Sequence, residues 1–503
     1  MKKFLCIFLI AIMMLSTACN SSKQPENDDP VVGSDKNTTS TTTEATNGAE
    51  VTSDTTLPPE TEPPYYDTTG IDYGGAVFKI QSFDAIVGQS WPDSIPYEFY
   101  SEGENGEVLS DAVYKRNKSV EEKLNITLEA ELVTGNYVTN LSNNINAGLN
   151  DVDLLFPQQH NVSAVLNKGC AMEVSQLEAF DFSEPWYNQA CNESAIIHDK
   201  MFLIASDATF YDKMASSVVF FNQQLADTHQ MGDLYQLTEQ GNWTLDKLLE
   251  LGGNLSADLN SDGVYDEKDA YGISGQNDTT VYLLHGFGMT IVDKNEADEF
   301  EFALESEKGI DYLTKALEIK TDAVMHFNRQ TFGLGLSDAI NMFCEDRVAF
   351  MIRPLHSLYN MRSMDAEFGI LPLPKYDTTQ EKYYTSINKY GSTIATIPTN
   401  VSDPERSAVV LSVLACESHY IINDVLYETV LGAKLIRNEG SQKCLEYVFD
   451  GLLFDSGYLW NFGKIVDSIL KKTDTNVSSM LAALENVINK DIEKTVNYSA
   501  TLE

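Results

Sequence analysis

Between positions 76 and 156 the apolar residues change period several times, from strand spacing to helix spacing and back. Short apolar or alternating stretches at 76–83, 125–132 and 151–156 are typical of strands. Apolar residues recur at helical spacing in 109–124 and 141–149, which predicts two intervening helices. This order predicts right-handed βαβ units that form a parallel sheet.

Two loops of this predicted sheet are candidate binding loops. Ligands bind at the carboxyl ends of the strands in such sheets, which favours the loops after Phe83 and Phe156. Asp84 opens the first loop, and the amides Gln158 and Gln159 stand in the second. We expect these polar side chains to face a ligand. An ordinary solvated loop is the alternative interpretation.

A further strand and helix are predicted between residues 218 and 249. The apolar run 218–221 suits a buried strand, and apolar residues at helical spacing follow Thr244. The Thr244 hydroxyl can accept a hydrogen bond from an unpaired amide of the first helical turn, and Ser110 is expected to cap the earlier helix in the same way. Trp243 is expected to belong to the core.

The amino terminus has the pattern of an exported protein. Lys2 and Lys3 precede a short apolar run, and small residues lead to Cys19, which is typical of a secretory signal. The run is too short to span a bilayer, and we expect no later stretch to be long and apolar enough. Residues 20–66 are rich in Ser, Thr, Glu and Pro, which predicts a disordered tether.

Composition narrows the classes of partner. A chain of 503 residues is too long for one ordinary core, so two or more lobes are expected. Its net charge of −41 argues against nucleic acid and against electrostatic attachment to anionic lipid, and it disfavours a polyanionic ligand. The remaining cysteines are scattered and do not form a disulfide framework, although a Cys170–Cys191 bridge stays open.

The stretch 258–269 has the spacing of a calcium loop. Oxygen side chains stand at positions 1, 3, 5, 9 and 12, and Gly263 at position 6 allows a sharp turn. We expect a structural Ca²⁺, with an acidic surface turn as the alternative. The predicted ligands are the side chains of four aspartates and one asparagine and one backbone carbonyl: Asp258, Asn260, Asp262, Val264, Asp266 and Asp269.

Several ordered segments together resemble a known family. They are the strand 218–222 followed by Trp243-Thr244, the Pro-Trp-Tyr of 185–187, the Arg-Val-Ala of 347–349 and the Gly-x-x-Pro-x-Pro of 369–374. Between residues 74 and 503 the chain resembles extracellular solute-binding proteins, family 1: the carbohydrate-type substrate-binding lipoproteins of ABC importers in Gram-positive bacteria. Residues 384–397 resemble the strand that returns to the first lobe in that family.

The resemblance implies an α/β, two-lobed fold of the periplasmic-binding-protein type (type II), each lobe a sheet flanked by helices, with hinge crossings. It also implies that Cys19 is a lipidated residue at the end of a lipoprotein signal. The implied division is signal peptide 1–19, tether 20–66, first lobe 67–210 with 385–440, and second lobe 211–384 with 441–503.

The function implied by the resemblance is capture of a small extracellular solute. A monomeric receptor held on the outer face of the cytoplasmic membrane by its lipid would close on a solute, expected to be an oligosaccharide, and deliver it to the permease subunits. No catalysis is required. A surface glycoside hydrolase and a calcium-dependent adhesin are the alternatives, although no pair of carboxylates stands out for glycoside hydrolysis.

Further site residues follow from their places in the family pattern. Ser206, Asp207 and Tyr211 lie where the chain is expected to cross between lobes. Arg353 ends a strand expected to point into the cleft, with a surface ion pair as the alternative. Tyr458 and Trp460 are expected to stack on sugar rings, with packing in the core as the alternative.

Overall fold

The computed structural model describes residues 63–89, 91, 95–149, 151–361, 364, 367–427 and 438–502. The predicted signal sequence with Cys19, and the tether up to residue 62, lie outside the described residues. Near the predicted end of the tether, Tyr65 stacks on Tyr420 at 5.3 Å between ring centroids and donates a hydrogen bond to Glu417.

Strands and helices are interspersed along the chain. The strands are β1 (Ala76–Phe83), β2 (Ile126–Val133), β3 (Leu154–Phe156), β4 (Ser217–Asn222), β5 (Tyr271–Gly275), β6 (Val292–Lys294), β7 (Phe300–Phe302), β8 (His326–Asn328), β9 (Val348–Pro354), β10 (Phe368–Leu371), β11 (Thr385–Ser386) and β12 (Leu452–Leu453). The helices are α1 (Ala85–Gln89), α2 (Val108–Leu124), α3 (Tyr137–Asn146), α4 (Val162–Asn167), α5 (Gln189–Ala195), α6 (Tyr211–Met214), α7 (Gln223–Thr228), α8 (Leu234–Glu239), α9 (Leu245–Gly252), α10 (Thr279–Gly286), α11 (Glu307–Thr321), α12 (Leu336–Cys344), α13 (Pro404–Asp424), α14 (Glu439–Asp450), α15 (Ser456–Trp460), α16 (Ile465–Lys471) and α17 (Val477–Ser499).

The first sheet has the order β2-β1-β3, and its strands are parallel. Ala76 lies opposite Ile126 and Ile80 opposite Leu154, so the predicted strand–helix–strand arrangement is confirmed. The predicted cap of α2 is wrong. Glu107, not Ser110, caps this helix, because its carboxylate accepts the first-turn amides.

The second sheet has the order β10-β4-β9-β5-β8. β5 runs parallel to both β8 and β9, whereas β4 is antiparallel to its two neighbours. The carboxyl ends of β5, β8 and β9 therefore meet at one edge. Trp243 is fully buried and donates its indole N–H to the Pro372 carbonyl at 2.9 Å, and Thr244 accepts the Lys247 amide, which confirms both predictions.

The segment that returns from the second sheet to the first is interrupted, contrary to the expectation of one strand over 384–397. A turn closes it, since the Gly391 amide donates to the Asn388 carbonyl at 3.0 Å. Beyond the turn, single bridges join Thr393 to Gln158 and Thr396 to Leu155. The turn places residues 388–391 between the two sheets.

Among the described residues, one helix is long and apolar enough to cross a membrane by length and composition, contrary to the sequence expectation. It covers Pro404–Tyr427, and 61% of its most apolar window is buried inside the protein. Its Ser407 hydroxyl donates to the Asp153 carbonyl at 2.8 Å, as suits a helix of the core.

Cys170 and Cys191 are both free, so the possible bridge between them is not formed.

Candidate functional site

A cavity of about 780 Å³ opens where the carboxyl edge of the second sheet faces the first sheet. Each of the three parallel strands of that edge supplies polar side chains directly after it ends, as expected for α/β sheets. The residues contributed are Gln276, Asn277 and Asp278 after β5, Arg329 and Gln330 after β8, and Arg353, Pro354 and His356 at the end of β9.

The opposite wall comes from α1, the segment after it and the interrupted return segment, and it contains Gly88, Trp91, Asn388, Tyr390 and Gly391. Helix α16, which is held by Lys320 of α11, adds Asp467, Leu470 and Lys471 to the lining. The Trp91 ring stacks on His356 with centroids 4.3 Å apart, so the two walls touch. Gly391 permits this approach, because a Cβ there would lie 2.6 Å from Trp91 Cζ2.

Two guanidinium groups share one acceptor in this cavity. Arg353 is 1% exposed; its Nη1 donates to Gln276 Oε1 at 3.4 Å and its Nε to Ser357 Oγ at 3.2 Å. Arg329 Nε donates to the same Gln276 oxygen at 3.4 Å. Burial, together with the neighbouring Arg329, lowers the pKa of Arg353 to about 10, so both groups are cations at neutral pH.

A buried polar network surrounds this pair. Gln276 Nε2 donates to Asp278 Oδ2 at 3.0 Å and to the Tyr282 hydroxyl at 3.2 Å, and Asn388 also donates to that hydroxyl. Burial raises the pKa of the Asp278 carboxyl, against the opposing effect of Arg329. The other oxygen of Asp278 has no hydrogen-bond partner among the described residues.

His356 supplies a neutral ring to the cavity wall. Burial, and then the charge of Arg353, lower the pKa of His356 well below its usual range, so the imidazole is uncharged at neutral pH. Within the described part of the chain its Nδ1 has no hydrogen-bond partner. This buried nitrogen is thus unsatisfied as folded, and a ligand hydroxyl brought against it would complete its hydrogen bonding, since a hydroxyl can both donate and accept.

The predicted binding residues are spread over several places, and of the nine only Arg353 lines this cavity. Tyr211 lies just behind, with its ring 4.9 Å from that of Trp91 and its hydroxyl bonded to the Pro96 carbonyl. Gln158 donates to the Tyr390 carbonyl, and Gln159 to that of Thr393 at 3.5 Å. These three side chains therefore position the wall and do not point into the cavity.

Asp84, Ser206 and Asp207 lie elsewhere. The Asp84 carboxylate accepts the Val87 amide at 2.9 Å and so holds α1. Ser206 and Asp207 line a separate cavity of about 400 Å³. Asp207 pairs there with Lys213 at 3.0 Å and His419 at 2.7 Å; burial acts to raise the pKa of Asp207, but these partners outweigh it and hold the pKa below its usual range.

Tyr458 and Trp460 are buried in the core, contrary to the expected stacking on sugar rings. Trp460 is 1% exposed, and its indole N–H has no partner among the described residues. The Tyr458 ring lies 4.7 Å from Lys389 Nζ, and its carbonyl accepts that ammonium at 2.8 Å. The alternative of packing fits both residues, and Tyr458 supports the turn that carries Tyr390.

Carboxylates of the predicted calcium loop accept hydrogen bonds from backbone amides of the loop. Asp258 accepts the amides of Ser261 at 2.7 Å and Gly263 at 2.8 Å, and Asp269 accepts those of Leu259 and Asp266, both at 2.9 Å. In the described chain no group of three or more His, Cys, Asp or Glu side chains is placed to hold a metal ion. A carboxylate that accepts an amide keeps lone pairs for a cation, so these hydrogen bonds do not test the ion, and Ca²⁺ stays a prediction from the sequence.

Sequence reasoning missed most of the cavity wall. Gln276, Asp278, Arg329 and Trp91 were not expected to be site residues. The rule that nominated the loops after Phe83 and Phe156 would have found the first three, because they too follow parallel strands. No signal in the sequence pointed to Trp91, which reaches the site through the packing of the segment after α1.

The fold is shared with solved substrate-binding proteins. The chain is similar to an ABC substrate-binding protein from Listeria monocytogenes in complex with cycloalternan, with 11% identity, TM-score 0.52, and coverage of 85% of this chain and 100% of that one. A cyclo/maltodextrin-binding protein complexed with maltotetraose gives 14% identity, TM-score 0.52 and coverage of 84% and 97%. The GacH receptor of Streptomyces glaucescens, solved unliganded and with acarbose, gives 10% identity, TM-score 0.51 and coverage of 85% and 100%.

These likenesses confirm the predicted periplasmic-binding-protein-like α/β fold. No protein-family model matches the chain. No curated protein matches it either. The predicted lobe boundaries stay predictions.

Proposed function

We propose that this protein is an extracellular solute-binding receptor of an ABC importer and that it captures an oligosaccharide in the cavity between its two sheets. The observation that carries the proposal is the composition of that cavity. Amides, guanidinium groups and a neutral imidazole converge on it, and Trp91 and Tyr390 supply aromatic rings. Sugars need such a mixture, since their hydroxyls require fixed hydrogen-bond partners and their C–H faces pack on aromatic rings.

The solved proteins of the same fold support this choice of ligand. Their structures hold cycloalternan, maltotetraose and acarbose. A cavity of about 780 Å³ is large enough for several sugar rings. The proposal includes delivery of the sugar to permease subunits in the membrane, by a monomeric receptor that catalyses no reaction.

The proposal also includes attachment to the outer face of the cytoplasmic membrane through a lipid on Cys19. The sequence pattern of the leader is its support. Membrane fractionation of cells that express the wild-type chain or Cys19→Ala tests it directly. We expect the variant to leave the membrane fraction, and an unchanged distribution would contradict lipid attachment.

A panel of neutral and acidic oligosaccharides, screened by thermal shift and then by calorimetry, tests the receptor function. We expect one class of sugar to raise the melting temperature, and Tyr390→Ala to weaken its binding about 10-fold through loss of a stacked ring. Tyr390→Phe is the matched control, because it keeps the ring.

The same samples are analysed for products by chromatography. Turnover of any glycan would favour the hydrolase alternative over a receptor. Absence of any response to every saccharide would contradict the proposal and leave the adhesin alternative.

A further inference from the structure

The charge of the cavity is opposite to that of the whole chain. The sequence contains 75 acidic and 34 basic residues. The cavity wall instead contains three cations, Arg329, Arg353 and Lys471, and two carboxylates, Asp278 and Asp467. Burial moreover raises the pKa of Asp278, which favours its uncharged form. This local excess of positive charge in so acidic a protein indicates that the function of the cavity depends on positive charge.

The two guanidinium groups have only uncharged hydrogen-bond partners, and the nearby carboxyl is that of Asp278, whose pKa burial raises. Among the described residues, Arg353 donates to a hydroxyl and an amide oxygen, and Arg329 donates to the same amide oxygen and to the Leu334 carbonyl at 2.9 Å. A buried cation costs folding free energy unless an anion compensates it. Here a second cation lies beside it, which increases that cost. An anion bound in the cavity would offset the repulsion between the two guanidinium groups.

We infer that the ligand is an acidic saccharide whose carboxylate, as in a uronic acid, is bound by Arg353 and Arg329. This rests on the proposed function and names the class of sugar. A planar guanidinium matches the two oxygens of a carboxylate and can bind them in a bidentate manner. The inference departs from the sequence-based expectation that the acidic chain disfavours a polyanionic ligand, since net charge says nothing about the charge inside one cavity.

The rest of the cavity suits the sugar that carries this group. His356 and Asp278 line the cavity, and His356 Nδ1 and the second oxygen of Asp278 are buried without a partner in the described chain, so sugar hydroxyls brought against them would complete their hydrogen bonding. The Tyr390 ring is partly exposed on the opposite wall and can pack against a ring face. A free inorganic anion would use the guanidinium groups alone and would leave these atoms unpaired.

Calorimetry with matched pairs of oligosaccharides tests the inference. Each pair has one backbone, with and without a uronic acid: oligogalacturonides against galacto-oligosaccharides, and glucuronate-substituted against unsubstituted xylo-oligosaccharides. Inorganic sulfate is titrated separately as a simple anion. We expect at least one uronate member to bind at least 10-fold more tightly than its neutral partner, and to raise the melting temperature more than sulfate does.

Two variants locate the effect. Arg353→Gln and Arg329→Gln should each lower the affinity for the uronate by roughly 10- to 100-fold, the range for loss of a charged hydrogen bond, with a small effect on the neutral sugar. Arg353→Lys should give an intermediate loss, because it keeps the charge without the planar fork. Lys443→Gln is the control: it removes one charge from an exposed ion pair with Glu239. Arg329 is only partly buried, so its variant stays informative if Arg353→Gln does not fold.

The outcomes separate the inference from the proposed function. Neutral sugars that bind as tightly as their acidic partners would overturn the inference and leave the receptor function standing. The same holds for arginine variants that weaken both kinds of sugar equally. A thermal shift with sulfate equal to that with the uronate would also overturn it. If no saccharide binds at all, both statements fail.

Discussion

At the scale of single residues, Glu98 is a buried carboxyl outside the cavity with four hydrogen-bond donors around it. Its buried carboxylate accepts the amides of Phe210 and Tyr211, both at 2.8 Å, and the hydroxyls of Thr209 and Thr393. It therefore ties together two segments that connect the sheets. Burial raises the pKa of Glu98 to about 7, although these hydrogen bonds act to lower it.

The raised pKa predicts that Glu98 makes stability depend on pH. The folded carboxyl holds its proton more tightly than the unfolded one, whose pKa is 4.5. Its contribution to stability is therefore complete below about pH 4.5 and is lost as the pH rises through about 7, which amounts to roughly 3 kcal/mol. Urea unfolding at several pH values between these limits measures it.

Glu98→Gln is the matched control, because it keeps the size of the side chain and cannot ionise. The wild-type protein should lose about 2 to 3 kcal/mol more unfolding free energy than this variant over that pH range. Other carboxylates and the net charge affect both proteins alike. Identical pH dependence of the two would show that Glu98 is not protonated in the folded state.

Single residues also show why only part of the site could be predicted from the sequence. Arg353 was found because the strand before it is apolar and its position matches a known pattern. Tyr458 and Trp460 were misplaced, because an aromatic residue in a polar stretch has the same sequence signal whether it faces a cavity or the core. Trp91 depends on contacts with Gly391 and His356, which are distant in sequence.

At the scale of elements, the loop 258–269 is the clearest motif whose chemistry is not yet established. Asp258 and Asp269 accept backbone amides within the loop and keep lone pairs for a cation. Gly263 adopts the left-handed backbone with φ of 81°, which suits the sharp turn of the calcium-loop pattern at this position. The turn is thus in place, and binding of the ion is what an experiment has to establish.

A calcium titration tests this loop. If the predicted ion binds the folded chain only, Ca²⁺ at about 100 times its dissociation constant stabilises the protein by roughly 2.7 kcal/mol, and EDTA reverses the effect. Asp262→Ala, which removes a ligand oxygen, should abolish the response, while Asp298→Ala, in a different exposed turn, should not. An unchanged melting temperature in EDTA would rule out a structural calcium and leave an acidic surface turn.

Elements themselves were predicted well where local pattern decides them. β1 and the cap of α9 were predicted correctly because their signals are local. The strand shows alternating burial along its length, and the cap is a residue with a hydroxyl group directly before apolar residues at helical spacing. The return segment was not, because its interruption depends on the turn at 388–391 and on bridges to distant residues. No residue in that stretch is a proline that would have marked the break.

At the scale of the whole molecule, two chain segments that connect the sheets run side by side. Ser216 bridges to Ile387, the Asn388 amide donates to the Ala215 carbonyl at 2.9 Å, and the Thr209 and Thr393 hydroxyls lie 2.8 Å apart. Paired connecting segments of this kind allow a hinge, since a few residues absorb the change in backbone angles while both sheets stay intact.

This arrangement predicts that ligand binding shifts the protein toward a closed state. The Trp91–His356 stack already joins the two walls, and a sugar that contacts both walls adds binding energy only when they are close. We expect small-angle scattering to show a smaller radius of gyration with saturating oligosaccharide. The full chain is used with and without the oligosaccharide, so residues 1–62 are present in both samples.

His356→Ala should weaken binding about 10-fold through loss of the stack and of the imidazole nitrogen. A saccharide that binds tightly without changing the radius of gyration would mean that the cavity is preformed and that the paired segments do not act as a hinge.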